Sequence, residues 1–124
     1  MDFQDLKVLI LDDDERIREE LSEFLTRRRS VVYSEEYPTK AFNLMQNKHI
    51  DVLFLDFALP EMDGLVVLRK MQQLYPKVSV IMISGTANCN LAEEAINCGA
   101  AHFLKKPFLH KEVTQAVEQL DLYR

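Results

Sequence analysis

The sequence has few of the residues that build cross-linked or fibrous proteins. Its 124 residues include two cysteines, three glycines, four prolines and no tryptophan. Collagen-like or Pro/Gly-rich disordered architectures are therefore excluded. Cys89 and Cys98 are nine positions apart, which suits neither a disulfide framework nor a paired-cysteine metal site. We expect both thiols to be reduced and structural.

The chain also lacks long hydrophobic runs and an excess of positive charge. The longest pure apolar runs, such as Val80–Ile83, are far too short to span a membrane. No cationic leader precedes an apolar stretch. Lys and Arg number 15 against 20 Asp and Glu, so the net charge is −5. Direct binding to nucleic acid or to an anionic membrane is disfavoured. Hydrophobic residues make up 48%, enough for one core, so we predict a single cytoplasmic domain over residues 1–124.

Short apolar runs alternate with amphipathic stretches along the whole chain, the pattern of repeated strand and helix units. Helices are predicted over 15–29, near 39–48, 64–74 and 90–98, and around an apolar stripe from 113 to 120. The pattern predicts an α/β fold with a five-stranded, doubly wound parallel sheet and helices on both faces. The flavodoxin-like strand order 2-1-3-4-5 is the leading candidate, although periodicity alone does not fix it. The predicted strands are Leu6–Leu11, Val31–Glu35, Ile50–Leu55, Val78–Ile83 and Ala101–Leu104.

Polar groups follow four of these apolar runs, at the edge where open α/β sheets bind ligands. The segments are Asp12-Asp13-Asp14, Asp56, Ser84-Gly85-Thr86 and Lys105-Lys106-Pro107. In the proposed strand order, Asp12, Asp13 and Asp56 converge on one crevice. Ser84 and Lys105 enter that crevice from the next two strands.

Clustered carboxylates stay ionised at neutral pH only when a cation offsets their repulsion. Oxygen ligands without accompanying His or Cys favour Mg²⁺ or Mn²⁺ over zinc. A lysine, a hydroxyl and a metal together match the oxygens of a phosphoryl group in transfer. Asp56 would then be the nucleophile and form an acyl phosphate.

Taken singly, each segment also has a plain structural interpretation. The acidic run from Asp12 could cap the helix that follows it, and Ser84-Gly85-Thr86 could be an ordinary turn. The pair Lys105-Lys106 could be a solvated surface feature. The combination favours function, because four independent strand ends supply complementary groups at one edge.

Four motifs in order closely resemble the receiver domain of two-component response regulators, of the chemotaxis-regulator type. The resemblance covers nearly the whole chain. The second motif fits the family pattern Asp-x-x-Leu/Met-Pro-x-Met-Asp-Gly at every position. The motifs are Val8–Asp14, Asp56–Gly64, Ile83–Thr86 and Gly99–Phe108.

The resemblance implies a role for each matching residue. Asp56 looks like the phospho-acceptor. Asp12 and Asp13 look like the acidic pair that holds Mg²⁺ or Mn²⁺ together with Asp56, and the backbone carbonyl of Ala58 is a further ligand. Lys105 looks like the lysine that pairs with the phosphate.

Two further positions resemble the parts of the family's switch. Ser84 occupies the hydroxyl position that turns toward the phosphoryl group, and Phe103 the aromatic position whose rotamer follows it. Lys106-Pro107 resembles the family's cis peptide, which would orient Lys105.

The implied function is a phosphorylation-activated switch. A histidine kinase or phosphotransfer protein would donate the phosphoryl group to Asp56, and the surface of the fourth helix, fifth strand and fifth helix would change. That surface would meet a downstream protein or an attached output domain, and phosphorylation could drive homodimerisation. The domain would slowly catalyse its own dephosphorylation. It would therefore act only on itself and would not be a turnover enzyme.

Three alternatives remain open at this point. A haloacid-dehalogenase-like phosphatase would use Asp12 as nucleophile, although Arg16 stands where that family usually has Thr or Val. A flavodoxin-like cofactor domain would need a less anionic phosphate loop. A receiver-like module could also act without phosphorylation. Ala58 and Thr86 line the approach to the phosphate in the family, and the lifetime of the acyl phosphate stays open.

Overall fold

The computed structural model describes residues 3–85 and 89–122. Strands and helices alternate along this part of the chain. The elements are β1 (Lys7–Leu11), α1 (Glu15–Arg27), β2 (Val31–Glu35), α2 (Pro38–Asn47), β3 (Val52–Asp56), α3 (Gly64–Leu74), β4 (Ser79–Ser84), α4 (Cys89–Asn97), β5 (His102–Lys105) and α5 (His110–Glu118).

The strands form one parallel sheet in the order β2-β1-β3-β4-β5. This confirms the predicted fold class and strand order. β1 and β3 are central neighbours, and their register aligns Leu11 with Leu55. Asp12 and Asp56 come one residue after this aligned pair, so both lie at the same carboxyl edge of the sheet.

The central strands are buried on both faces because their side chains alternate between two hydrophobic cores. On β1, Leu9 and Leu11 belong to the core beneath α2, α3 and α4, whereas Val8 and Ile10 belong to the core beneath α1 and α5. Phe54 of β3 is fully buried in the second core. Packing on both faces fixes the sheet as a rigid base for the polar edge.

Helix boundaries follow local signals that the sequence predicts. Pro38 begins α2, as expected for a residue without a backbone N–H at a helix start. Gly99 follows α4 with φ +110°, a left-handed conformation that suits glycine. Gly64 begins α3 where an added Cβ would lie 2.6 Å from the backbone of Phe57, so only glycine fits.

The differences from the predicted boundaries are small. β5 extends through Lys105, one residue beyond the predicted end. Cys98 follows α4 and is a half-buried free thiol, whereas Thr86 and the side chain of Cys89 lie outside the described residues. Across residues 3–85 and 89–122, no helix has the length and apolar character needed to cross a membrane.

Candidate functional site

Three carboxylates meet at the carboxyl edge of the sheet. Asp12 directly follows β1, and Asp56 is the last residue of β3. The residues are 0% and 3% exposed, whereas neighbouring Asp13 is exposed. One carboxylate oxygen from each of the three lies within 4.8 Å of the others. The predicted convergence of Asp12, Asp13 and Asp56 is thus present.

Asp12 is held by hydrogen bonds to β2, to α1 and to the residue that caps α1. Its N–H donates to the carbonyl of Glu35 at the end of β2 (3.2 Å), and its carbonyl accepts from Arg18 Nη1 of α1 (2.7 Å). Its carboxylate Oδ1 accepts from the N–H of Asp14 (2.8 Å), and Asp14 in turn caps α1 by accepting from Arg16 N–H (3.0 Å). The capping interpretation of the acidic run therefore applies to Asp14, and Asp12 is left facing the crevice.

The lysine that reaches this crevice is Lys106. Its Nζ lies 2.8 Å from Asp12 Oδ2 and 3.3 Å from Asp56 Oδ1, and its side chain is 18% exposed. The prediction that Lys105 enters the crevice is therefore wrong. Lys105 is exposed and aligned with Ser84 in the sheet.

The one-residue extension of β5 explains this correction. Side chains within a strand point alternately to the two faces of the sheet, so Lys105, still inside β5, projects from a face. Lys106 is the first residue beyond the strand and projects along the edge. Its N–H donates to the carbonyl of Ser84 (2.7 Å), and the Lys106-Pro107 peptide is cis, as the resemblance implied. A strand ending at Lys105 is the signal that would have identified Lys106.

Burial and mutual repulsion perturb the titration of this cluster. The pKa of Asp56 is raised from 3.8 to about 6, chiefly by burial and also by the charges of Asp12 and Asp13, against the lowering effect of Lys106. Burial lowers the pKa of Lys106, but its contacts with Asp12 and Asp56 outweigh that effect, so this pKa is raised above 10.5. The lysine is held as a cation, and the charge of Asp56 remains costly.

The donor set suits a hard divalent cation. Asp12 Oδ2 is fully buried and forms an ion pair with Lys106 Nζ. Among the described residues it has no further hydrogen-bond donor. A buried oxygen in that state has an unused lone pair. Carboxylate oxygens without His or Cys are the ligands that Mg²⁺ and Mn²⁺ prefer. Ala58 is exposed in the loop after β3, and its carbonyl as a ligand stays a prediction.

The predicted switch residues border this site. Ser84 ends β4 and is 2% exposed. Phe103 of β5 is half-buried against the core beneath α2, α3 and α4. Their response to phosphorylation stays a prediction, and Thr86 lies outside the described residues.

Comparison with known proteins gives a consistent picture. The family model of the response regulator receiver domain matches residues 8–118. Response regulator protein TodT of Pseudomonas putida is 35% identical over 113 residues, which cover 89% of this chain and 48% of TodT. The chain spans 24% to 48% of the length of the curated relatives it matches first.

Two solved structures illustrate the likeness in three dimensions. The beryllofluoride-activated NtrC4 receiver domain dimer has a TM-score of 0.86 at 28% identity, covering 90% of this chain and 93% of that chain. A response regulator protein from Burkholderia pseudomallei with a phosphorylated aspartic acid, calcium ion and citrate has a TM-score of 0.85 at 24% identity. That match covers 93% of this chain and 68% of that chain and shows a shared fold. Because the family model matches almost the whole chain, the protein belongs to the response regulator receiver domains of two-component systems.

Proposed function

We propose that residues 1–124 act as one cytoplasmic receiver domain that is switched by phosphorylation of Asp56. The donor is a histidine kinase or a phosphotransfer protein. Mg²⁺, or Mn²⁺ in its place, is held by the carboxylates of Asp12, Asp13 and Asp56 and by the backbone carbonyl of Ala58. The family assignment leaves the phosphatase and flavodoxin-like alternatives without support.

The observation that carries this proposal is the arrangement of four charged groups at one sheet edge. The carboxylate oxygens of Asp12, Asp13 and Asp56 lie within 4.8 Å of one another, and Lys106 Nζ contacts two of these residues. Buried Asp12 Oδ2 has the ion pair with Lys106 Nζ (2.8 Å) but no further hydrogen-bond partner among the described residues. A crowded, under-satisfied acidic cluster of this kind favours binding of a cation and of phosphate oxygens over a purely structural role.

In the proposed reaction a carboxylate oxygen of Asp56 attacks the phosphorus of the donor and forms an O–P bond. The P–N bond of a phosphohistidine donor breaks, and its electron pair returns to the imidazole. The Lys106 ammonium supplies a fixed positive charge next to the attacking oxygen, and Asp12 holds that ammonium in place. A bound divalent cation would neutralise the charge that develops on the phosphoryl oxygens.

Attack of water on the acyl phosphate would later release inorganic phosphate and regenerate Asp56. The domain therefore catalyses its own phosphorylation and its own slow dephosphorylation, and it is not a turnover enzyme. The phosphorylated aspartic acid in the Burkholderia pseudomallei protein supports phosphorylation of an aspartate on this fold.

The signal would leave the site through Ser84 and Phe103. Ser84 is buried at the end of β4, next to Lys105 and Lys106. Phe103 lies two residues before Lys105 on β5 and packs against the core. Inward movement of both side chains would alter the surface of α4, β5 and α5. That surface would contact a downstream protein, an attached output domain or a second copy of the chain. The activated dimer of the NtrC4 receiver domain supports the last possibility.

The test is intact-protein mass spectrometry after incubation with a small-molecule phosphodonor and Mg²⁺. The wild type should gain one base-labile phosphoryl group that Asp56→Asn cannot accept, and Asp121→Asn, an exposed aspartate in α5's trailing segment, should behave as wild type. No gain of mass, together with no binding of a fluoroberyllate analogue, would contradict the proposal. The domain would then be a phosphorylation-independent interaction module.

A further inference from the structure

A groove runs between α2 and α3, and the charged site residues Asp12, Asp13, Asp56 and Lys106 do not line it. It consists of two open cavities of about 390 and 330 Å³ that share Tyr75 in their linings. The first also includes Met45, Ile50 and Val78 at the amino end of the sheet, and the second extends to Met62 beside the loop that follows β3. The groove therefore follows the length of α2, which is about 15 Å for ten residues.

The floor and wall of the groove are apolar and partly open to solvent. Leu74 is 61% exposed, the highest value among the large hydrophobic residues that the structure describes. Phe42, Met62 and Tyr75 are half-buried around it. Scattered exposed apolar residues are ordinary, but a contiguous set inside a groove is typical of a binding surface.

The charge around this groove is opposite in sign to that of the whole chain. Residues 37–50 and 64–78, which contain α2, α3 and the segments that follow them, hold five of the 15 Lys and Arg and none of the 20 Asp and Glu. Lys48, Lys70 and Lys77 line the two cavities and are exposed.

The nearest acidic side chains are already engaged. Glu61, in the loop before α3, accepts hydrogen bonds from Thr39 N–H and Oγ1 (2.9 and 3.0 Å). Buried Asp51 accepts from Lys7 N–H and contacts His49. The lysines of the groove thus face outward from a locally cationic, apolar surface.

We propose that the groove between α2 and α3 docks an acidic amphipathic helix of a partner protein. Apolar side chains spaced three or four residues apart would enter the groove beside Leu74 and Tyr75. Flanking carboxylates would pair with Lys48, Lys70 and Lys77. A helix of about ten residues matches the length of the groove. This inference does not depend on phosphorylation of Asp56.

Other occupants fit these features less well. Nucleic acid would use the lysines but leave the apolar groove unfilled, and the net charge of −5 would repel it. An anionic membrane is too flat to enter a groove between two helices. A second copy of the chain would have to insert one of its own helices, and α1, with four Glu and three Arg, has little excess negative charge to pair with the lysines.

The experiment is a titration of the isotope-labelled domain with a synthetic helical probe, followed by nuclear magnetic resonance. The probe carries leucines on one face and glutamates on its flanks. A scrambled peptide of the same composition and a version with lysine in place of glutamate serve as controls. The acidic amphipathic probe alone should shift resonances of α2 and α3, without added phosphodonor. Vesicles containing anionic lipid and a short duplex DNA are titrated in parallel.

Variants locate the binding site. Lys70→Glu and Leu74→Ser should each weaken the probe's affinity about tenfold. Matched changes on other surfaces, Lys111→Glu in α5 and Ile96→Ser in α4, should leave it unchanged. All four positions are exposed, so circular dichroism should show folded variants.

Four results would overturn the proposal: equal binding of the scrambled peptide, shifts confined to α4, β5 and α5, binding of vesicles or DNA without the probe, and self-association through α2 and α3. Because this titration needs no phosphodonor, its failure leaves phosphorylation of Asp56 untouched. Conversely, absence of the phosphoryl group would not alter the expected titration.

Discussion

β3 has a buried aspartate at each end, and the two differ sharply in their surroundings. Asp51, which precedes the strand, is 5% exposed, and Asp56, which ends it, is 3% exposed. Asp51 accepts from Lys7 N–H at 2.9 Å and lies 2.8 Å from His49 Nε2. Asp56 instead faces Asp12 and Asp13 and contacts Lys106 at 3.3 Å.

The comparison shows that burial alone does not mark a functional carboxylate. A buried carboxylate whose oxygens are hydrogen-bonded stabilises the fold, and Asp51 ties the amino ends of β1 and β3 together. Burial without enough compensating hydrogen bonds, together with the like charges of Asp12 and Asp13, makes the charge of Asp56 costly, and its pKa is raised accordingly. A destabilising carboxylate of this kind is typical of positions where the group has a chemical task.

The largest expected effect is stabilisation by Asp56→Asn. The pKa of Asp56 rises from 3.8 to about 6 on folding, so its charge destabilises the folded state at neutral pH. A shift of this size corresponds to about 3 kcal/mol in the free energy of unfolding. Urea unfolding with a metal chelator at pH 7.5 should show the variant more stable by that order. The gain should shrink as the pH falls from 6 and vanish below about 4, where Asp56 is protonated in both states.

Addition of Mg²⁺ should narrow this difference, because cation binding stabilises the wild type by offsetting the repulsion among the carboxylates. A gain independent of pH between 4 and 7.5 would show that the cost of charging Asp56 is not its source.

The next effect separates the two adjacent lysines. Lys106→Met removes the ammonium between Asp12 and Asp56 and should slow phosphorylation by a small-molecule donor roughly a hundredfold. Lys105→Met, on the exposed neighbour, should leave the rate within about twofold of the wild type. Quench-flow or mass-spectrometric time courses give both rates. Equal losses in the two variants would contradict the assignment of Lys106.

A smaller effect is expected at the other end of β3. Asp51→Asn weakens the contacts with Lys7 and His49 and should lower the free energy of unfolding by about 2 kcal/mol. Its phosphorylation should match the wild type once the protein is folded. Denaturant titration and the mass assay measure the two properties separately. Loss of phosphorylation in the folded variant would erase the distinction between the two ends of the strand.

The smallest effect concerns the hydrogen bonds between Thr39 of α2 and Glu61 in the loop after β3. α2 has no side-chain cap of its own, and Glu61 accepts from Thr39 N–H and Oγ1 instead. Glu61→Ala should destabilise the protein by about 1 kcal/mol, as loss of a helix cap does. Thr39→Ala should cost less, because the N–H bond remains, and Thr26→Ala near the exposed end of α1 is the control. Additive losses in the Thr39→Ala, Glu61→Ala double variant would show that the two side chains act separately.

Most of the fold could be predicted from the sequence because it depends on local patterns. Alternating apolar runs, Pro38 at a helix start and Gly99 after a helix all act within a few residues. The acidic residues of the site were also predictable, since Asp12 and Asp56 directly follow apolar runs of the sequence. The lysine was not, because the strand boundary that separates Lys105 from Lys106 depends on pairing with β4.

The sequence by itself determined the α/β class and the acidic residues that follow the apolar runs, because hydrophobic periodicity and the ends of apolar runs are one-dimensional signals. The strand order became certain only from the pairing of the strands. Only the tertiary structure decided which lysine meets the carboxylates and how the aspartates at the two ends of β3 differ. It also brought Glu61 to Thr39, 22 residues earlier in the chain. Each of these contacts joins distant segments, so its geometry arises only when the sheet and helices pack together.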